Sequence, residues 1–159
     1  PAYNRLERTL SELYNGRSAL VFNSGYHTNI GVLPALARSG DLILSDKLNH
    51  ASIIDGLKLA DAEFRRYPHL DLEQLEKQLA AKRAAYRQVF IVTESVFSMD
   101  GDLADLRKLV ELKEKYDAVL VVDEAHSVGV RGPQGTGLAA ELGVAGKVDV
   151  GIGLWKKGR

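Results

Sequence analysis

Residues 119–127 read VLVVDEAHS, and the fold turns on them. Four consecutive aliphatic residues precede two carboxylates and an imidazole. A run that is apolar throughout, rather than alternating, fits a strand covered on both faces, as in the middle of a parallel sheet. The polar end admits two chemistries. Asp-Glu-Ala-His after a strand is the second nucleotide-triphosphate motif of one helicase class, where the carboxylates handle magnesium. The same letters can instead set one buried carboxylate and one imidazole beside an aromatic cofactor.

Similar short runs recur on either side. ALVFNSG (19–25), LILSD (42–46), EFRRYP (63–68), VFIVTES (89–95), AVLVVDE (118–124) and VDVGIG (148–153) all read as strands. Between them the spacing turns helical. Leu72, Leu75 and Leu79 follow Asp71, a good N-cap with Gln74 placed for a capping box. Leu106, Leu109, Leu112 and Tyr116 repeat the pattern over 104–116, and Ile53, Ile54 and Leu57 mark a shorter helix. Strands alternating with helices at this pitch predict an α/β fold with a three-layer, mostly parallel, doubly wound sheet. With 159 residues and no linker or repeat, the chain reads as one domain over 1–159.

Composition narrows the chemistry. The 21 basic and 21 acidic residues cancel, which leaves no electrostatic footprint for nucleic acid or an anionic membrane. No apolar run approaches the roughly 18 residues of a membrane span. The absence of cysteine excludes disulfides, thiolate zinc sites and a cysteine nucleophile. Together with the lack of a visible signal peptide, this gives the expectation of a cytoplasmic protein. A helicase would need an upstream phosphate loop, G-x-x-x-x-G-K-[ST], yet the lone Gly146-Lys147 pair lies downstream and precedes Val148. His27, His50, His69 and His126 form no H-E-x-x-H and no i, i+4 pair, so no metal site is expected. FNSGY lacks the first glycine of a serine-hydrolase elbow.

Ligands of doubly wound sheets bind outside the carboxyl ends of the strands. The residues there are Ser24 to His27, Asp46 to His50, Glu94 to Ser98 and Asp123 to Ser127. NSGYHTN follows a strand reading and opens a helix, so its free backbone N–H groups suit a phosphate, although an ordinary strand-to-helix turn reads the same way. Asp123 ends an apolar strand and needs a partner, either a protonated ring nitrogen or the loop that follows. His50 stacks on a ring or simply opens a helix. Ser98 and His126 reach a ring hydroxyl or satisfy their own turns. Singly each is an ordinary turn residue; on successive strand ends they converge on a cofactor.

At this combination the sequence resembles the α-oxoamine synthases, pyridoxal-phosphate enzymes of fold type I. The strings that carry the likeness are ALVFNSGYHTNIGVLPAL (19–36), DKLNHASIIDG (46–56), VTESVFSMDGDLADL (92–106) and VVDEAHSVGVRGPQGTG (121–137). The resemblance implies that pyridoxal 5'-phosphate is the cofactor and that an amino acid and an acyl-CoA or other acyl thioester are the substrates. It implies a homodimer when the protein is complete. Gly25 and Tyr26 match the loop that holds the cofactor phosphate, and His50 matches the histidine stacked on the pyridine ring, counted with the catalytic residues. Ser98 and His126 match the residues around the phenolic oxygen, and Asp123 the partner of the pyridine nitrogen.

The family's catalytic lysine, which carries the cofactor and moves protons, falls by spacing on Lys157, with Lys156 adjacent; the alternative is a charged tail. Here the chain departs from the family pattern. VDVGIG runs into LWKKGR, with Leu154 in place of a threonine whose hydroxyl would bind phosphate, and a bulky Trp155. The resemblance also implies a later strand of the large domain and a C-terminal small domain, neither found in these 159 residues. The expectation is therefore a partial large domain. The opposing expectation is a non-catalytic remnant of the fold that binds a partner or phosphate ligand without turnover.

Overall fold

The computed structural model describes residues 2–154. Five strands form one sheet in the order β2-β1-β3-β4-β5: β1 (Leu42–Asp46), β2 (Glu63–Tyr67), β3 (Val89–Glu94), β4 (Val119–Asp123) and β5 (Val150–Ile152). Every neighbouring pair is parallel. The main helices are α1 (Ala2–Leu13), α2 (Gly25–Leu36), α3 (Ala51–Leu59), α4 (Leu72–Lys82), α5 (Leu106–Lys115) and the short α6 (Leu138–Glu141).

Strand periodicity builds three layers. Leu42, Leu44, Val89, Ile91, Leu120 and Val122 face Leu75 and Leu79 of α4 and Leu106, Leu109 and Leu112 of α5. The intervening Ile43, Phe90, Val92 and Val121 face Leu33 of α2 and Ile53 and Leu57 of α3. Because both faces are covered, β1 and β3 are buried along their whole length. That is why β1 opens on three consecutive apolar residues and β3 on four, where β2 does not. β2 is an edge strand and carries exposed Glu63, Arg65 and Arg66, charges that discourage pairing with another chain.

The helix starts follow the sequence closely. Asp71 Oδ1 accepts the Gln74 N–H at 3.0 Å and Asp105 Oδ1 the Lys108 N–H at 3.0 Å. The cap at α4 forms without the return arm of a capping box, because the Asp71 N–H donates instead to the Pro68 carbonyl.

One expected strand does not form. Residues 19–25 lie outside the sheet, with 19–22 unpaired and the last residue opening α2. A strand needs a ladder, and the Val21 N–H is instead taken by the Glu7 carboxylate of α1 at 3.0 Å. α1 precedes this segment, in a region for which the sequence reading assigned no element. Its Leu6, Leu10 and Leu13 have helical spacing, yet none of its residues is fully buried.

Chain order fixes where a ligand can sit. The chain runs outward from β1 to β2 and then returns past β1 to β3, so the order reverses between β1 and β3. That reversal opens a crevice at the carboxyl ends of the strands. α2 and α3 flank it and pack tightly. Gly56 of α3 lies so near α2 that a methyl group on it would stand 2.5 Å from the Asn29 carbonyl oxygen. Glycine inside a helix otherwise costs about 1 kcal/mol relative to alanine. The clash should outweigh that gain, and we expect Gly56→Ala to destabilise the fold by about 1–3 kcal/mol in urea denaturation. A stabilised variant would contradict the close α2–α3 contact.

Candidate active site

α2 begins at Gly25 because Ser24 is extended and caps it. The Ser24 side chain accepts the His27 N–H at 3.2 Å, and its carbonyl takes the Thr28 N–H. The first-turn amides of Gly25 and Tyr26 then have no acceptor within the helix, the ordinary state of a helix N-terminus. Among the described residues, a side chain on Gly25 would meet only Leu154 Cδ1, at 3.8 Å, so their packing does not explain the glycine. Tyr26 is half-exposed, with its hydroxyl donating to Asp55 Oδ2 at 3.1 Å.

His50 caps α3. Its Nδ1 accepts the Ser52 N–H at 3.1 Å and lies 2.7 Å from Ser52 Oγ. Asn49 pins this loop to β3: its Nδ2 donates to the Val92 carbonyl at 2.8 Å and its Oδ1 accepts the Glu94 N–H at 3.1 Å. The His50 N–H in turn donates to Glu94 Oε2 at 2.9 Å, closing the crevice floor between β1 and β3.

Asp123 ends β4, level with Glu94 of β3 and only 6% exposed. Its Oδ1 accepts the Ala125 N–H at 2.9 Å and its Oδ2 the Asn29 side-chain N–H at 3.0 Å. Two donors and no acceptor suit an ionised carboxylate. Glu124 turns elsewhere. Its Oε1 accepts the Ser127 hydroxyl at 3.1 Å and the Ala139 N–H at 3.0 Å, anchoring the start of α6. The two carboxylates of the Asp-Glu pair thus have separate partners.

Ser98 and His126 are exposed in the turns after β3 and β4. These turns are joined through Ser95 Oγ and Ser127 Oγ, 3.0 Å apart. The Ser98 turn is further held by His69, which packs edge-on against Phe97 and bonds Asp102 at 3.1 Å and Asp46 at 2.9 Å. Burial pulls the His69 pKa down, but those two carboxylates outweigh it and raise it above the ordinary value. The fold thus ties His50 and Asp123 into one network and puts Gly25 and Tyr26 at the start of the helix that supplies Asn29. Ser98 and His126 flank that network without bonding to it. Lys157 lies outside the described residues.

Sequence reasoning misses two residues of this network, Asn29 and Ser52, and places Glu94 at a strand end without giving it a role. Asn29 is the last of the polar residues that open α2, directly before the apolar stretch IGVLPAL, and that position gives it no signal of its own. Glu94 gives no pattern, because its environment is set by the register with Asp123.

These groups fit a phosphorylated, protonated pyridine. Free helix amides beside a glycine that packing does not demand suit a phosphate. An ionised buried carboxylate suits a ring N–H, and an exposed imidazole on a capped helix suits a ring face. Leu154, beside Gly25, offers an anion no hydrogen bond, so the phosphate would rely on the helix amides.

Glu94 is 2% exposed; burial, and then repulsion from Asp123, push its pKa up to about 7. The folded protein therefore holds a proton that the unfolded chain releases near 4.5, so stability falls as pH rises from about 4.5 to about 7 and stays low above that. We expect Glu94→Gln, which keeps an acceptor for His50, to remove this part of the pH dependence. At pH 8, without cofactor, the variant should be more stable by on the order of 3 kcal/mol in urea denaturation. Identical pH profiles for the two proteins would show that Glu94 is not proton-loaded by the fold.

The comparisons agree with this geometry. The chain is 60% identical over 157 residues to an 8-amino-7-oxononanoate synthase from Chlorobaculum parvum, covering 99% of this chain and 40% of that protein. The fold superposes on a serine palmitoyltransferase from S. paucimobilis solved with bound PLP (TM-score 0.89, 37% identity, covering 94% of this chain and 37% of that one). It also superposes on an 8-amino-7-oxononanoate synthase from Francisella tularensis (TM-score 0.76, 37% identity, 89% and 40% coverage). The chain thus spans about two fifths of the length of the curated relatives it matches. The model of aminotransferase class I and II matches residues 2–152, and with the parallel sheet and strand-end site just described, the chain belongs to that family.

Proposed function

We propose that the protein is a pyridoxal 5'-phosphate-dependent acyltransferase of the α-oxoamine synthase group. The reaction we assign is that of 8-amino-7-oxononanoate synthase: L-alanine joins a pimeloyl thioester with loss of carbon dioxide, a step of biotin synthesis. The observation that carries the cofactor assignment is the buried Asp123 carboxylate, which takes only hydrogen-bond donors, in one network with His50. The choice of reaction rests on the names of the relatives, which favour it over glycine C-acetyltransferase.

Pyridoxal phosphate, when bound, supplies an electron sink for a carbanion beside the amino-acid nitrogen. The chain's own residues would prepare that sink. Asp123 would accept the ring N–H and favour the positively charged ring, His50 would cover one ring face, and the Gly25 and Tyr26 amides would take the phosphate. Ser98 and His126 would lie beside the phenolic oxygen. Lys157 would bind the cofactor covalently and carry the proton removed from the amino acid. The remaining domain parts and a second subunit would complete the site in a cytoplasmic homodimer. No helix among the described residues is long and apolar enough to cross a membrane.

The test uses the full-length protein. After incubation with pyridoxal phosphate and borohydride reduction, the modified peptide should map to Lys157. In a separate, unreduced sample loaded with pyridoxal phosphate, L-alanine with pimeloyl-CoA should release carbon dioxide and CoA, and Asp123→Asn should lower kcat about 10- to 100-fold, the equivalent of one charge-assisted hydrogen bond. Labelling spread over surface lysines would overturn the cofactor assignment. Faster turnover of glycine with acetyl-CoA, without carbon dioxide release, would transfer the assignment to glycine C-acetyltransferase.

A further inference from the structure

We propose that Asn29 and Ser52 are positioning residues, a hydrogen-bonded relay that orients the Asp123 carboxylate and fixes the ring proton of His50 on Nε2. Asn29 comes from α2 and Ser52 from α3, and each is 2% exposed. The side-chain nitrogen of Asn29 donates to Asp123 Oδ2 and to Ser52 Oγ, each at 3.0 Å. Ser52 Oγ lies 2.7 Å from His50 Nδ1.

The direction of every bond follows from one charge. An ionised Asp123 accepts and cannot donate, so the amide atom facing it is nitrogen, and the Asn29 side chain has one permitted orientation. Both its N–H bonds are then committed, one to Asp123 and one to Ser52 Oγ. The serine oxygen is thus an acceptor from Asn29, and its own hydrogen points to the remaining neighbour, His50 Nδ1. The Ser52 backbone N–H, which can only donate, reaches the same nitrogen at 3.1 Å. His50 Nδ1 faces two donors and carries no proton; the exposed ring keeps its proton on Nε2. The stacking imidazole and the ring-nitrogen carboxylate are thereby set by a shared pair of residues.

Two further observations separate the relay from ordinary packing. The Asn29 side-chain carbonyl oxygen is buried with no hydrogen-bond partner among the described residues, a costly arrangement that an apolar residue would avoid. Gly56 brings α3 against the Asn29 backbone, so the two helices that supply the relay hold each other in register.

The consequence for the cofactor rests on the function proposed above, whereas the His50 tautomer does not, and the experiment separates them. Ring-nitrogen NMR on the 15N-histidine-labelled full-length protein without cofactor, at pH 8, should show His50 as the Nε2–H tautomer alone. Ser52→Ala removes the hydroxyl donor while the backbone N–H still holds Nδ1 as an acceptor, so the tautomer should persist and the Nδ1 resonance should move downfield with the lost hydrogen bond, while Ser52→Thr should restore the wild-type shift. Asn29→Leu frees the serine hydroxyl to rotate and should move the Nδ1 resonance in the same direction by a smaller amount. It should also raise the Kd for pyridoxal phosphate about tenfold through the misplaced carboxylate. If Asn29→Leu does not fold, the two Ser52 variants still decide. A wild-type His50 protonated on Nδ1, or an Nδ1 resonance unchanged in Ser52→Ala, overturns the relay even if the cofactor binds. A wild type with the expected tautomer that binds no pyridoxal phosphate supports the relay and overturns the functional reading.

Discussion

The site depends on one buried negative charge. Asp123 sits at the end of a strand covered on both faces, where an unpaired carboxylate would be costly. Two N–H groups compensate it, one from its own turn and one from Asn29 of a different layer. That second bond does more than satisfy a lone pair. It links the centre of the sheet to α2, and through Ser52 and His50 to α3. The α2–α3 contact, the His50 cap and the aim of the carboxylate form one mechanical unit as a result.

The same crevice shows how burial assigns different duties to three carboxyl groups. Asp123 is met only by donors and remains a charge for a ligand to use. Glu94, beside it in the sheet, meets the His50 N–H but also the repulsion of Asp123, and it holds its proton to about pH 7. Glu124, the next residue after Asp123, points into the loop before α6. Burial raises its pKa, and the Ser127 and α6 donors oppose that rise. Adjacent letters in the sequence therefore do unlike work, because successive side chains at a strand end leave toward different layers.

Much of this architecture is legible in the amino-acid sequence. The five strands of the sheet and the helices α3, α4 and α5 follow from apolar runs and spacing, since burial on one or both faces leaves a periodic trace. Placing the site at the strand ends follows from chain order. Two features are not legible there. Residues 19–25 have a strand's composition, yet composition cannot report whether a neighbour exists to complete a ladder, and Glu7 takes the Val21 amide instead. Asn29 and Ser52 are single polar letters inside helices, and their importance lies in contacts across 94 and 23 positions of sequence. No local pattern encodes such pairings.

In the function proposed above, this sheet end holds an ionised carboxylate against a protonated ring nitrogen. The decisive measurement is the ring-nitrogen chemical shift of 15N-labelled pyridoxal phosphate bound to the full-length protein at pH 8. A pyridinium resonance is expected, showing that the proton stays on the ring beside Asp123. A resonance at the neutral pyridine position would refute that role and make Asp123 a structural cap for its own loop.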